Sequence, residues 1–461
     1  MRRSFHGMGV WALAGLLGLV GYHSPIGVSS VSPRRAYEQV NASALTGTRL
    51  SAGTLTVLHR YNLSEHSRSN SDRVLRDLHD IALGDARRDV LLALSEVNFA
   101  EGERALRSPK TSRRAQAAGC FLASAAYAYW FLFSEDKRDP PPAAYDREFR
   151  LACDLYNRAL VPALSVGRTG RIQFLAGRRE LSVGSMDITV ERPRFPWELS
   201  RFERFEPSDR FAVRGVSVRL RDPGLGLPFI AIEKEAAKQP FPRRAAATAF
   251  LRIEGTASDL MRGGVRARIE LYSTYDEENV QVQERWIPLE TDNTTPLAFA
   301  LEDSPLWELG LRQFFSGEQW VKNDVYLTQP YQRGKIPVVF VHGTASSPVW
   351  WAEMWNSLRA DPVLRKRYQF WAYLYNTGNP INHSAAKLRE SLASTLHRYD
   401  PNGEGPALRE MVVVGHSQGG LLTKMTVVES GDTLWRSMNK KPFDPAMLKA
   451  KDRDLVEKRF L

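Results

Sequence analysis

The sequence predicts a three-part chain of mixed α and β structure: an all-α region, an antiparallel β region, and a partial parallel sheet with flanking helices. Three observations carry this. Apolar residues recur at helical spacing over residues 71–165, the period changes to two over 166–330, and from 335 to 461 continuous apolar runs alternate with amphipathic helical patterns. The last of those runs, 411–414, leads directly into Gly415-His416-Ser417-Gln418-Gly419.

Composition sets the outer bounds. The 461 residues leave room for about three ordinary domains. With 43% hydrophobic and 25% charged residues, the chain can build a core, which excludes wholesale disorder. The net charge is +11, yet the arginines are dispersed, as in Arg113-Arg114, Arg178-Arg179 and Arg192-Pro193-Arg194, with acids interleaved. This pattern predicts a solvated basic face and no nucleic-acid partner, leaving a membrane surface as the alternative anionic contact. Two cysteines, Cys120 and Cys153, exclude a disulfide scaffold.

Residues 1–22 read as a signal peptide or N-terminal anchor. Met1-Arg2-Arg3 gives a basic start, and the apolar run 10–20 is too short to span a bilayer comfortably but fits a secretory core. Export to the cell envelope, periplasmic or membrane-associated, is expected. Leu19-Val20-Gly21-Tyr22 has the shape of a lipobox, but Tyr22 stands where the modified cysteine would be, so no lipid can attach there. Residues 23–70, with Ser24-Pro25 and Ser32-Pro33, read as a linker.

Within 71–165, Val74, Leu75, Leu78 and Ile81 mark one helix face, and Phe149, Ala152, Leu155 and Leu160 another. Residues 115–134 carry no charge, but Gln116, Ser124 and the amphipathic helices on either side favour a buried helix over a membrane span. The run Asp154-Leu155-Tyr156-Asn157-Arg158-Ala159-Leu160 loosely resembles tetratricopeptide-type helix pairs, which would give this region a protein partner. Over 166–330, Val216, Val218 and Leu220, then Val265, Ala267, Ile269 and Leu271, alternate with polar residues; one-sided antiparallel strands follow. A structural module is expected here.

From 335 onward the order is strand 336–341, His342-Gly343-Thr344, helix 348–359, strand 369–375, helix 384–398, strand 410–414 and the serine motif. Connections of this length imply parallel strands with right-handed crossovers. The spacing of the serine motif has a chemical reason. A serine on a sharp strand-to-helix turn needs small neighbours, so Gly415 and Gly419 relieve crowding while Ser417 stays exposed. The backbone N–H groups of the following helix then face the position where an oxyanion forms.

That order resembles the first half of an α/β-hydrolase domain, more narrowly the serine esterase and lipase group; the resemblance covers residues 335–429. It implies an α/β-hydrolase fold in which Ser417 is the nucleophile and the backbone N–H of Gln418 is one oxyanion donor. A second donor would come from the turn at Thr344, with His342 and Gly343 shaping that loop and Gly415, His416 and Gly419 supporting the motif. The implied reaction is acyl transfer from an ester or lipid substrate to Ser417 and then to water, with no cofactor and no metal. Trp350, Trp351 and Trp355 follow the oxyanion loop, where packing between helix and sheet is expected before an acyl pocket.

One count conflicts with the resemblance. A serine hydroxyl needs a histidine base oriented by a carboxylate, and in this fold the chain order is serine, acid, histidine. The nine histidines are His6, His23, His59, His66, His79, His342, His383, His397 and His416, so none follows Ser417. Asp432, Asp444, Asp452 and Asp454 do follow it, but no feature selects an acid among them. His383 and His397 read as surface helix residues. Residues 444–461 read as charged helix with no further β run, leaving the elbow strand at an open edge. The expectation is a hydrolase half-domain that stops early, its catalytic acid and histidine absent and its activity weak or nil. The competing expectation is a non-catalytic binding or scaffold protein that uses the helical region.

Overall fold

The computed structural model describes residues 26–439 except 48, 65–70, 86, 136–138, 141, 167–169, 235–243, 263, 276–277, 303, 305–306 and 308–321, and beyond them 442–444, 449, 453 and 456. The leader read over 1–22, Tyr22 included, lies outside the described residues, as do Asp452, Asp454 and most of the expected terminal helix. The chain divides into two compact units, one up to Ala52 and one from Gly53 onward.

The first unit carries α1 (Pro33–Val40), and α2 (Ala52–Arg60) begins at its end. Both fall in the expected linker, which is therefore partly helical. The reason is local: Ser32 is an N-cap whose hydroxyl accepts from the Arg35 N–H at 3.3 Å, and Pro33 suits the first turn. In the second unit, Val57 and Leu58 of α2 are buried.

Four longer helices follow: α3 (Ser71–Gly84), α4 (Arg88–Leu106), α5 (Thr111–Phe133) and α6 (Arg147–Leu164), packed in sequence along the chain. The uncharged run lies in α5, whose second half is buried throughout, from Cys120 to Phe133. Among the described residues no helix is long and apolar enough to cross a membrane. The helices face a sheet as well as one another. Tyr156 of α6 accepts from the Leu251 N–H at 2.7 Å and donates to its carbonyl at 2.8 Å, and Phe250 packs on both Tyr129 and Tyr156.

That sheet has eight strands among the described residues. In chain order they are β1 (Ser165–Val166), β2 (Arg171–Ile172), β3 (Gly177–Glu180), β4 (Ser185–Arg194) and β5 (Phe202–Pro207). After the short β6 (Arg221–Asp222), which pairs elsewhere, come β7 (Leu227–Glu233), β8 (Arg244–Glu254), α7 (Ala257–Arg262) and β9 (Val265–Ser273). The spatial order is β1-β2-β5-β7-β8-β9-β4-β3. The sheet is mixed, which corrects the purely antiparallel expectation: β4 and β9 run parallel, from Met186 opposite Val265. A parallel pair needs a long crossover, and the chain between these strands supplies one while contributing β5, β7 and β8 to the same sheet. The hairpin β10 (Asn279–Val282) and β11 (Arg285–Pro288) follows, then β12 (Thr291–Asp292), paired with β6, and α8 (Thr294–Glu302).

The alternation over 216–220 forms no strand. Its backbone groups are taken by side chains instead: Ser217 N–H donates to Glu353 at 2.9 Å, Leu220 N–H to Thr294 at 2.7 Å, and the Val218 carbonyl accepts from the Asn356 amide. Once those groups are satisfied, a ladder adds nothing.

The second sheet contains β13 (Asp324–Leu327), β14 (Ile336–Val341), β15 (Tyr368–Leu374) and β16 (Val412–Gly415) in the order β13-β15-β14-β16. Strands β15, β14 and β16 are parallel, with Ile336 opposite Tyr368 at one end and Val341 opposite Gly415 at the other; β13 is an antiparallel edge. Between the strands lie a 3₁₀ turn (Pro348–Trp351), α9 (Ala352–Ala360), α10 (Pro362–Arg367), α11 (Ile381–Tyr399) and α12 (Pro406–Arg409). After β16 come α13 (Gln418–Lys424) and α14 (Thr433–Met438). Alternate residues face opposite cores. Val339, Val341, Trp371 and Tyr373 pack with Leu388 and Leu422, whereas Val338, Phe340, Phe370 and Ala372 pack with Trp355. Both faces of β14 and β15 are thus covered, which is why these strands read as continuous apolar runs.

Candidate functional site

The junction of β16 and α13 puts Ser417 in an unusual backbone state. Its φ is 55° and its ψ −123°, a region that L-residues seldom occupy and that costs roughly 1–3 kcal/mol. The neighbouring glycines are enforced by contact. A Cβ on Gly415 would meet the Gly419 backbone and lie 2.6 Å from Thr423 Oγ1; one on Gly419 would run into the Val341 and His342 carbonyls. Close approach of β14, β16 and α13 therefore requires both glycines, and it leaves the serine exposed at the C-terminal end of the parallel strands.

The His-Gly-Thr turn lies against this elbow. His416 N–H donates to the Val341 carbonyl at 3.1 Å, and a Cβ on Gly343 would sit 3.0 Å from both Ser417 Cβ and His416 Nδ1. Gln418 opens α13, so its N–H has no intrahelical acceptor. Its side chain clamps two loops: the amide oxygen accepts from Thr344 Oγ1 at 3.0 Å, and Nε2 donates to the Thr377 carbonyl at 3.2 Å. Ala345, next to Thr344, has φ 52°, and its N–H donates to Thr377 Oγ1 at 3.0 Å. The left-handed turn at Ala345 thereby fixes the backbone at Thr344 beside Gln418.

Two histidines of the motifs differ in surroundings. His342 is 1% exposed, stacks on Tyr375 at 4.5 Å, and meets the Gly343 carbonyl through Nδ1 at 3.1 Å. With Tyr375 N–H directed at Nε2, the proton is assigned to Nδ1. Burial lowers its pKa from the ordinary imidazole value to about 4, so the ring is neutral and held in place. His416 is exposed beside Trp351, with ring centroids 6.4 Å apart.

Among the described residues Ser417 Oγ has no hydrogen-bond partner, so neither His416 nor His342 is bonded to it. His383 lies in the first turn of α11 and His397 in the last, about 21 Å apart along the helix at 1.5 Å per residue. Of the acids after the serine, Asp432, the N-cap residue of α14, pairs with Arg436. Among the described residues no His, Cys, Asp and Glu cluster could hold a metal.

No protein-family model, curated protein or solved structure matches this chain.

The three tryptophans separate. Trp351 and Trp355 pack on Phe340, with centroids at 5.0 and 6.0 Å, as expected of helix–sheet packing. Trp350 is 66% exposed, meets Trp307 edge-on at 5.5 Å, and borders a groove of about 630 Å³ whose walls include Phe211, Phe299 and Val349. Sequence reasoning missed Thr377 and Tyr375. The only local signal was the Asn376-Thr377-Gly378 turn directly after a strand; their contacts to Gln418 and His342 arise through space.

Proposed function

We propose that this chain carries the nucleophile and oxyanion half of a serine esterase or lipase of the α/β-hydrolase fold, acting by acyl transfer to Ser417. The observation that carries the reading is the positive φ of Ser417 between a parallel strand and a helix, with glycines enforced on both sides. In the reaction, Ser417 Oγ attacks the ester carbonyl and the alcohol leaves with a proton. The backbone N–H groups of Gln418 and Thr344 stabilise the intermediate oxyanion, and water then releases the acid.

No imidazole is bonded to Ser417 among the described residues, so turnover is expected to be low. Removing the histidine of a serine triad costs about a million-fold in turnover, while the oxyanion site and binding alone retain roughly 10³–10⁴ over water. The same observation favours a second reading, a non-catalytic binding protein that engages a partner through the helical region. A fluorophosphonate probe separates the two. Slow stoichiometric labelling mapped to Ser417, with p-nitrophenyl ester hydrolysis above background and both lost in Ser417→Ala, supports the esterase reading. A folded chain that labels no faster at Ser417 than at its other serines overturns that reading and favours the binding protein.

A further inference from the structure

A second cavity lies at the opposite end of the parallel strands from Ser417. It is a half-open cleft of about 280 Å³ bordered by Lys335, which precedes β14, and Tyr368, which opens β15. Ser417 follows the far end of the neighbouring β16. The six residues of β14 separate the two ends by about 20 Å at roughly 3.3 Å each. The cavity is thus distinct from the elbow, and its volume is close to the lower end of small-molecule sites, about 300 Å³.

Among the described residues its cations outnumber its acids. Arg365 of α10 is neutralised by Asp222 at 3.1 Å and Glu278 at 2.9 Å, and these are the acids on the cavity wall among the described residues. Arg359, in the last turn of α9, has no carboxylate partner among the described residues. It donates to Asn293 Oδ1 at 3.1 Å and lies over the Tyr275 ring at 5.0 Å. Lys366 also lines the cavity without an ion pair among the described residues. Burial, and to a smaller extent the nearby Arg365 charge, lowers the Arg359 pKa from the ordinary arginine value, against an opposing contribution from Tyr275. A half-buried guanidinium held by the Tyr275 side chain and the Asn293 amide oxygen still has donors left in its planar fork, which matches a carboxylate or phosphate.

We infer that this cavity binds a small organic anion whose carboxylate or phosphate seats on Arg359, with Lys366 as the second cation. Polar walls such as Thr274 and Gln332 suit a short, polar body and disfavour a long acyl chain. The site lies between α9, α10 and the β6–β12 pair, so an occupant would bridge the second sheet and the β region.

Calorimetric titration of the full chain tests this. Inorganic phosphate and succinate are titrated in separate arms at matched ionic strength, with glycerol as the neutral control. Saturable one-to-one binding of at least one anion is expected, weakened about tenfold or more in Arg359→Gln and severalfold in Lys366→Gln, and unchanged in Ser417→Ala. Phosphate binding alone identifies a phosphate ligand, succinate binding alone a carboxylate. Absence of saturable binding in both arms overturns the inference, as does binding that survives intact in the variants. Lys366 is exposed, so its variant decides the matter if Arg359→Gln does not fold.

Discussion

Ser417 holds its strain without local compensation. It occupies the N-cap position of α13, yet its side chain makes no capping hydrogen bond, so its hydroxyl contributes nothing to the helix that would offset a φ of 55°. Glycine tolerates that conformation. Ser417→Gly should therefore remove a backbone cost of roughly 1–3 kcal/mol, less about 0.5–1 kcal/mol for the added freedom of the unfolded chain. A net gain of about 1 kcal/mol is expected, read as a higher denaturation midpoint at unchanged slope. A variant no more stable than the parent would mean the turn is unstrained. His342 makes the opposite kind of prediction. Its folded pKa of about 4 is below the ordinary imidazole value, so between roughly pH 6.5 and 4 the unfolded chain binds a proton that the folded chain refuses. Stability is therefore unaffected above that window and falls as pH falls through it, by on the order of 3 kcal/mol. His79, also depressed by burial, acts in the same direction. His342→Gln should flatten the slope of stability against pH in this window; an unchanged slope would place the proton-linked loss elsewhere.

At the scale of elements, legibility follows burial. β14 spans the residues its apolar run indicates, because a strand covered on both faces has no polar alternation to blur its ends. β13 was not legible: four residues at a sheet edge, opening with Asp324, carry too little pattern to distinguish a strand from a loop. Alternation over 216–220 was misleading for a different reason. It records which side chains face solvent, and that can occur in coil whose backbone groups bond to Glu353, Thr294 and Asn356. Ser32-Pro33 looked like linker punctuation, yet the same two residues start α1. The candidate site divides along the same line. Ser417, Gly415, Gly419 and His342 belong to contiguous motifs and could be read directly. Thr377 and Tyr375 enter from the end of β15 by strand register, which no local pattern encodes. The exposure of β16 was legible too, since its outer edge pairs with no strand among the described residues and Val412 is 42% exposed.

At the scale of the molecule, the second sheet joins the β region through a set of buried polar groups as well as through Leu301 of α8. Asn356 of α9 is buried at the centre of this joint, donating to the Val218 carbonyl and accepting from Thr294 Oγ1 at 2.7 Å. One turn away Arg359 reaches Asn293, and Arg365 reaches Asp222 and Glu278. A polar joint is sensitive to the loss of one partner, because each buried group left unpaired costs about 1–3 kcal/mol, whereas the bond itself is worth less. Leu301 of α8 adds an apolar contact to the face of the second sheet that carries Phe340 and Phe370, and the polar groups around Asn356 complete the joint. Asn356→Leu keeps the branched heavy-atom shape, with bulkier methyl groups, but strands the Val218 carbonyl and the Thr294 hydroxyl. A loss of about 2–4 kcal/mol is expected, concentrated in the less stable of the two sheet regions. In scanning calorimetry the lower-temperature transition should fall by several degrees, at about 4 °C per kcal/mol, while the higher one stays in place. Equal displacement of both, or a single transition that does not move, would show that the sheets melt as one cooperative body and that Asn356 is not what couples them.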